Sequence, residues 1–532
     1  MCPSEDESNL SKSMKVAEEA VRGGSYIFIG NTLATAILIM ASIVIARLLG
    51  PADYGLYSIA LIVPSLMVLL ADFGVNPALV KFSVQYRSAG QDGMISNLIR
   101  IGFIFKLLIA LSTFLISIFF ANTLATFLLK RPDIGFLIQL DSLVVIGQVL
   151  FSTSNNIFVG VNSMRNNMFT LITQAIVKAV VAPALIILGL GVSGAIVGHV
   201  LSYLVAAFLG SLIVLRIYKF YQHDPKNELS FTAGLRSMIK YGIPLYGSVL
   251  LLNLLSQYQP MVLAWFASNI EIGNYSVATM FGTLIMLLDT PVSTALFPTF
   301  SRFHPDRDHQ NLERIFRHSN RYILMLMVPS SVFLAVASQD LIALLYSSQY
   351  VLAPLYLAMY STTFLYTGFS VVLGSFFNGI GRTDVSLKAM TIQTIVAIPL
   401  AITLTYLYAV SGLILSILIS TLLSLIYNAK IAYHKYKMSF DLKCAAKIYL
   451  ITFLSAIPAL ILTRIFSFGY LLNLVLIALS FASIYLTLIP VVRVINEEDL
   501  SSLSQIFTRI KFISPLAKAI LSYEAKILNL TR

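Results

Sequence analysis

The chain has 532 residues, of which 58% are hydrophobic and only 11% are charged, and its formal net charge is +12. Soluble proteins carry roughly 25% charged residues, so this composition excludes an ordinary soluble fold, which would expose large apolar patches, and predicts an all-α polytopic membrane protein. The basic residues lie in loops between apolar runs, where we expect them to set topology and meet anionic lipid rather than bind nucleic acid.

The apolar runs are long enough to cross a membrane as helices, because a spanning helix needs about 20 residues. Strands of a β-barrel would be about half as long and would alternate in polarity. The first run begins near residue 25 and lacks a small-residue cleavage site, so we expect no cleavable signal peptide. Fourteen spans are predicted, at 25–47, 56–80, 97–121, 136–160, 168–190, 192–215, 241–267, 276–300, 322–346, 353–379, 388–408, 410–433, 447–467 and 470–492.

A turn at 46–60 recurs in degenerate form at 264–278. Both copies hold Ala, an acidic residue seven positions later (Asp53 or Glu271), and then Gly-x-Tyr-Ser-x-Ala. Six spans separate the copies, so both halves have the same orientation, and we predict two lobes related by a pseudo-two-fold axis along the membrane normal. Three further pairs keep the same order and nearly the same spacing: Phe158-x-Gly160 and Phe377-x-Gly379, Val192-Ser193-Gly194 and Val410-Ser411-Gly412, and Pro77 and Pro298.

Charge in the loops predicts the topology. If the N-terminus is cytoplasmic, basic residues fill the cytoplasmic loops, and the external loops hold only Lys130, Arg131 and Arg464. This asymmetry places both termini inside and supports an even number of spans. The predicted organisation is a cytoplasmic segment at 1–24, an N-lobe at 25–215, a cytoplasmic linker at 216–240, a C-lobe at 241–433, two further helices at 447–492 and a cytoplasmic tail at 493–532.

Ser230 in the linker is a candidate cap for a short amphipathic helix. The tail carries an apolar stripe, which predicts a helix lying on the cytoplasmic membrane face, with a partner-binding helix as the alternative. Cys2 and Cys444 both fall in predicted cytoplasmic segments, so no disulfide is expected. The stripe consists of Leu500, Leu503, Ile506, Phe507 and Ile510.

The first turn, Ile45 to Tyr57, resembles the first external turn of polysaccharide-biosynthesis exporters. These are the oligosaccharide flippases of the multidrug/oligosaccharidyl-lipid/polysaccharide superfamily. The segments 71–74, 296–298 and 379–382 also resemble that family. The resemblance implies two six-helix lobes plus two trailing helices, and transport of a polyprenyl-phosphate- or diphosphate-linked oligosaccharide to the outer leaflet. Gln259, beside Pro260, stands where the family often has an acidic residue, so a carboxylate role there is in doubt.

Basic side chains inside predicted spans are candidate ligands for a phosphate, because a charge at mid-membrane costs roughly 2.5–3.5 kcal/mol on insertion scales. Lys106 and Lys178 lie about ten residues into their spans, and Gln174 is one turn before Lys178. Arg100 lies nearer the cytoplasmic entrance, and for it and Arg47 anchoring at the interface is the favoured interpretation. The alternative for either lysine is snorkelling or pairing with an acid such as Asp72 or Asp141.

Other polar residues in the spans have two open interpretations. Asp72 and Asp289 are candidates for coupling transport to H⁺ or Na⁺, with helix capping, pairing with a lysine or a position at the interface as the alternatives. The amides of Gln257, Gln259 and Gln393 are candidates for binding sugar hydroxyls, or for hydrogen bonding between helices.

The sequence has no Walker A motif and no HExxH pattern or paired metal spacing among its histidines. We therefore predict no catalytic residue, metal or cofactor, and a non-enzyme. The predicted function is a lipid-linked oligosaccharide flippase of the cell membrane that works by alternating access, with a monomer favoured. The alternatives are a cation-coupled multidrug antiporter of the same superfamily and, in another class, a glycan polymerase or ligase, which would need a larger external loop than the one at about 122–135.

Overall fold

The computed structural model describes residues 5–221, 230–303, 307–465, 469–497, 499–500 and 514–530. Within those ranges every regular element is a helix or a helical turn. The chain divides into two compact units, Met1–Gly273 and Asn274–Arg532. The two units are defined by contacts within the fold. The N-lobe at 25–215 and the C-lobe at 241–433 remain predictions.

The described residues of the first unit form ten α-helices besides a 3-10 turn at Pro132–Ile134 and a π-helical turn at Ile186–Leu190, and α11 (Asn269–Ser301) begins at its end. The ten are α1 (Glu5–Ala60), α2 (Ile62–Leu70), α3 (Val75–Ser88), α4 (Asp92–Phe119), α5 (Ala121–Leu129), α6 (Gly135–Ser142), α7 (Val144–Gly160), α8 (Met164–Leu185), α9 (Gly191–Phe220) and α10 (Phe231–Phe266).

The second unit contains the remaining helices. They are α12 (His309–Val336), α13 (Ser338–Leu345), α14 (Ala353–Ser361), α15 (Phe364–Gly379), α16 (Thr383–Tyr436), α17 (Leu442–Ile465), α18 (Tyr470–Val491) and α19 (Ser514–Leu530).

Breaks divide the longest helical stretches. Three stretches, Arg22–Leu70, Met164–Phe220 and Thr383–Tyr436, have 49, 57 and 54 residues, and each is long enough for two membrane crossings. Gly50 interrupts α1 with a φ of 74°, and Ala409 interrupts α16 with a φ of 49°. Each predicted inter-span turn at these places is therefore a short break in an otherwise continuous helix.

The chain is a multi-span membrane protein by the length and composition of its helices. Eight described helical stretches are long and apolar enough to cross a membrane. The number is nine if one span is formed by the pair Pro132–Ser142 and Val144–Gly160, whose axes are bent by 42°. The all-α prediction is confirmed, and the number of fourteen spans stays a prediction. Many spanning positions are apolar and exposed, such as Phe28, Ile187 and Leu471, as expected for side chains that face lipid.

Each unit has its own apolar core. In the first unit Leu79, Ile95 and Phe158 pack together from α3, α4 and α7, and each is 0% exposed. In the second unit Val328 and Ile448 pack together from α12 and α17.

The predicted cap at Ser230 is confirmed, since its hydroxyl accepts a hydrogen bond from the Ala233 amide at 3.4 Å, although the helix that follows is the long α10. Most of the predicted apolar stripe in the tail, from Leu503 to Ile510, lies outside the described residues.

Candidate functional site

The second predicted span of the first unit is broken at its middle. α2 ends at Leu70 and α3 begins at Val75, and between them Phe73 and Gly74 have φ of 49° and 73°. Both angles are in the left-handed region, which glycine adopts without a Cβ penalty. The break leaves carbonyl groups at the end of α2 in need of donors from elsewhere.

Lys106 of α4 supplies those donors. Its Nζ donates to the carbonyl of Ala71 at 3.0 Å, to the carbonyl of Asp72 at 3.4 Å and to the Asp72 carboxylate at 2.9 Å. Lys106 is 1% exposed, whereas the Asp72 side chain is 29% exposed. A buried ammonium is tolerated when it is paired and fully hydrogen-bonded. Lys106 therefore pairs with Asp72, which was the alternative to a ligand-binding role.

Lys178 has a different environment from Lys106. It is half-buried on α8 and interacts electrostatically with Asp141 on α6 and His199 on α9. Within the described ranges, its ammonium makes no hydrogen bond to another residue. Asp141 therefore acts on the Lys178 charge without a direct hydrogen bond that would fix the ammonium in place.

Unpaired polar atoms gather around Lys178. Asp141 is 1% exposed, and neither of its carboxylate oxygens has a hydrogen-bond partner in the described part of the chain. The same holds for the Tyr57 hydroxyl and His199 Nδ1. The His199 ring lies edge-on to the rings of Tyr57 and Tyr203, with distances between ring centroids of 6.5 and 5.3 Å. Each unpaired buried group of this kind costs about 1–3 kcal/mol, so the cluster concentrates a destabilising cost at one place in the first unit.

Gln174, another predicted ligand in the first unit, is buried and hydrogen-bonded. It is 4% exposed, and its Nε2 donates to the Ser202 hydroxyl at 3.2 Å, which in turn donates to the carbonyl of His199 at 2.6 Å. Gln174 therefore links α8 to α9, as in the interhelical alternative. Arg100 is exposed near the start of α4, as is Arg47 before the break in α1.

The remaining candidates are partly accessible. Gln257 and Gln259 lie on α10 and Gln393 on α16, all half-buried, and within the described ranges their amides make no hydrogen bond. Asp289 on α11 is half-buried, and its Oδ1 has no partner there. These four side chains remain available to a ligand.

The two copies of the repeated turn meet in the first unit. A Cβ atom added to Gly55 would lie 1.9 Å from the carbonyl oxygen of Asn269, and one added to Gly273 would lie 1.9 Å from that of Pro51. Real Cβ atoms do not approach backbone so closely, so both positions require glycine. The sequence signal was the Gly shared by both copies, which showed the equivalence of the two positions but not their contact.

Neighbouring side chains fix the second copy of the turn. The Ser268 hydroxyl and amide donate to Glu271 Oε2 at 2.8 and 2.9 Å, which caps the start of α11. Trp265 Nε1 donates to the carbonyl of Leu128 at 2.6 Å, and Arg131 donates to Asn269 Oδ1 at 3.0 Å. Glu271 thus has an architectural role.

A second glycine pair joins the break in the second span to α10. A Cβ atom added to Gly74 would lie 2.2 Å from the carbonyl oxygen of Gly242, and one added to Gly242 would lie 2.0 Å from that of Gly74. The Tyr246 hydroxyl, one turn further along α10, donates to the carbonyl of Leu69 at 2.7 Å. Sequence reasoning missed this contact, because Gly74 and Gly242 belong to no shared motif.

Among the described residues, no group of three or more His, Cys, Asp or Glu side chains could hold a metal ion. The chemistry that the first unit offers is therefore that of ammonium, carboxylate, imidazole and phenol groups.

A family profile described as "polysaccharide biosynthesis protein" matches residues 44–355. The succinoglycan biosynthesis transport protein ExoT of Rhizobium meliloti (strain 1021) is 24% identical over 314 residues, which is 58% of this chain and 59% of that protein. The matched region is thus less than two thirds of this relative's length.

Solved structures share the fold. Lipid II flippase MurJ in an inward closed conformation has a TM-score of 0.71 at 16% identity, covering 87% of this chain and 97% of MurJ. A multidrug resistance MATE family transporter of the MOP superfamily, in an inward-facing conformation, has a TM-score of 0.64 at 15% identity, covering 77% and 98%. At these identities the likeness shows the fold alone.

Proposed function

Because this chain belongs to the polysaccharide biosynthesis protein family, we propose that it is a flippase that moves a lipid-linked oligosaccharide from the cytoplasmic to the outer leaflet. The substrate class is an oligosaccharide on a polyprenyl phosphate or diphosphate, destined for a surface polysaccharide or a glycoprotein glycan. The transport name of ExoT and the shared fold with a lipid II flippase support this proposal.

One observation carries the proposal to specific residues. The family match at 44–355 includes the buried Lys106 and the half-buried Lys178 of the first unit. A protein that moves a phosphate-bearing lipid needs cations in an apolar setting, since charge-assisted hydrogen bonds to phosphate are strong there. A drug antiporter for cations would instead need carboxylates and aromatic rings with no lysine among them, whereas Lys178 lies within electrostatic reach of Asp141.

Lys178 is the better candidate of the two for holding the phosphate. Lys106 already donates three hydrogen bonds at the break between α2 and α3. Lys178 makes none within the described ranges and interacts with Asp141 only electrostatically. An incoming phosphate can therefore recruit Lys178 without breaking a hydrogen bond.

The other candidates extend the proposed site. Arg100 would meet the phosphate on entry, and Gln257, Gln259 and Gln393 would bind sugar hydroxyls with amides that the described residues leave free. Gln174 would support Lys178 through its link between α8 and α9. Asp72 or Asp289 would couple transport to H⁺ or Na⁺ by changing charge.

We further propose that the protein acts as a monomer in the cell membrane, with both termini cytoplasmic. The charge asymmetry of the loops supports this orientation. Alternating access would expose the site first to the cytoplasmic side and then to the outside.

The experiment is transport in proteoliposomes loaded with a fluorescent lipid-linked oligosaccharide. We expect the purified protein to make glycan that began on the inner leaflet accessible to an external lectin, with protein-free liposomes as the control. Equal lectin accessibility in both preparations would contradict the proposal. Because the MATE transporter shares the fold, the same vesicles are also tested for uptake of a cationic dye, and uptake of dye without movement of glycan would favour the antiporter.

A further inference from the structure

A cationic pocket lies between two helix ends of the first unit, away from the lysines described above. The pocket has a volume of about 630 Å³ and lies between the start of α8 and the end of α9. Arg165 is the second residue of α8, and Arg216 lies one turn before the end of α9. Arginines from two helices thus converge on one cavity of a size typical for small-ligand sites.

A smaller pocket of about 250 Å³ adjoins the first. It shares Ser163 and Arg165 with the larger pocket and adds Arg22 of α1. Neither lining contains an acidic residue. Within the described ranges, Arg165 and Arg216 have no ion pair or hydrogen bond to another residue, and both are exposed. Their charge is therefore uncompensated by the described protein.

The nearby charges do not alter this balance. Arg87 donates to the carbonyl of Val161 at 3.1 Å, in the wall of the larger pocket. Asp92 is the acidic group that acts electrostatically on Tyr221 at the rim, where Arg87 acts in the opposite sense. Among the described residues, Arg87 and Asp92 thus act on Tyr221 in opposite senses.

The position of Arg165 is itself informative. A helix N-terminus carries a partial positive charge, which favours acidic side chains and disfavours basic ones. The first turn of α8, a helix of 22 residues, has no acidic residue, and Arg165 adds a positive charge there. An anion bound at this end would interact favourably with the dipole and with both arginines.

The apolar part of the lining distinguishes a lipid from a free anion. Phe169 and Phe220 line the pocket and are 50% and 79% exposed, on helices that belong to a membrane-crossing stretch. Ile213 and Ile217 line it from the same side of α9. Guanidinium groups at the helix ends beside exposed apolar rings match the layout of a lipid, with its phosphate at the boundary and its chains below.

We propose that Arg165 and Arg216 form a binding site for the phosphate group of a membrane lipid. The chemistry is shared by two sources, an anionic glycerophospholipid and a polyprenyl diphosphate. The site is separate from Lys178. It does not depend on the proposed transport, because the protein needs only to bind the lipid and not to move it across the membrane.

The test is native mass spectrometry of the full chain with added lipid. The variant is Arg165→Gln/Arg216→Gln, and the matched control is Arg314→Gln/Arg317→Gln, two exposed arginines on α12 in the second unit. The probes are phosphatidylglycerol, phosphatidylcholine and a C55 polyprenyl diphosphate. Each arginine near a membrane surface contributes about 1 kcal/mol, so we expect the variant to bind an anionic probe about 30-fold more weakly, with the control unchanged.

The probes separate the two sources. An anionic lipid that binds the variant more weakly than the wild type is a ligand of the site, and both anionic lipids can meet this criterion. Equal binding of both anionic probes by the variant and the wild type would overturn the proposal, and so would retention of neither anionic probe above phosphatidylcholine. Displacement of the lipid by millimolar inorganic phosphate would show a site for free anions and would also overturn it. Thermal melting of the lipid-free variant confirms that any loss of binding is not a loss of folding.

Discussion

Gly55 and Gly273 hold equivalent positions in the two copies of the repeated turn, and each lies against the backbone of the other copy. An added Cβ would lie 1.9 Å from a carbonyl oxygen in both directions. The repeat thus marks a contact as well as a duplication.

Gly55→Ala is expected to force the two copies apart. Overpacking of this kind costs about 1–3 kcal/mol, so we expect a melting temperature several degrees lower in detergent, and the same for Gly273→Ala. The matched control is Gly247→Ala on α10, where an added Cβ meets nothing within 4 Å. A Gly55→Ala protein that melts with the wild type would show that the turns separate freely.

Lys106→Met is expected to destabilise the first unit, because it leaves the Ala71 carbonyl and the Asp72 carboxylate without their donor. Breaking a buried pair on one side costs about 3–5 kcal/mol, and partial exposure of Asp72 favours the lower figure. Lys106→Met/Asp72→Asn should recover part of the loss in thermal melting. If the double variant is no more stable than the single one, the charge pair is not what Lys106 contributes.

Lys178→Ala alone would leave Asp141 buried beside no cation, so its effects on folding and transport would be mixed. We therefore expect Asp141→Asn to restore the folded level of Lys178→Ala while flipping remains at least tenfold slower than in Asp141→Asn alone, since a hydrogen bond to a charged group contributes about 1.5–3 kcal/mol. The measurement is lectin accessibility in proteoliposomes, with Lys219→Ala, an exposed lysine on α9, as control. Equal rates with and without Lys178 would remove it from the site.

Glu524 gives a pH dependence outside the spanning helices. It is 4% exposed on α19, and burial raises its pKa to about 7. Its pKa in the packed helix is therefore above the usual value, so packing of α19 is most stable below about pH 4.5 and weakens as pH rises through 7. The hydrogen-exchange protection factors of 514–530, which are corrected for the intrinsic rise of amide exchange with pH, should fall over that window, and Glu524→Gln should remove the fall. A flat profile in the wild type would contradict this assignment.

Labelling tests the orientation. In a chain without Cys2 and Cys444, an impermeant maleimide added outside intact cells should label Asp53→Cys and not Asp384→Cys, both of which are exposed positions. The reverse pattern would place the termini outside.

Sequence reasoning predicted the helical class and the repeated turn, because hydropathy and local motifs are written in consecutive residues. It also identified Asp72 and Asp141 as possible partners of the two lysines, but it left both pairings open. Choosing between a ligand role and a pairing requires the geometry of α4 relative to the break after Leu70, which no local pattern encodes.

The glycine contacts show the same limit. Gly74 lies 168 positions before Gly242, and only the fold brings them together. The unpaired atoms of Tyr57 and His199 are likewise properties of packing, since the repeated motif marks Tyr57 without showing what its hydroxyl contacts.

The contact between Gly74 and Gly242 has a mechanical consequence. No side chain separates the two backbones, so there is no flexible layer to absorb a displacement of α10. A shift of α10 is transmitted directly to the residue that follows Asp72 and Phe73, and so to the acceptors of Lys106. A displacement of α10 at Gly242 would therefore change the distances between the Lys106 ammonium and its acceptors on Ala71 and Asp72.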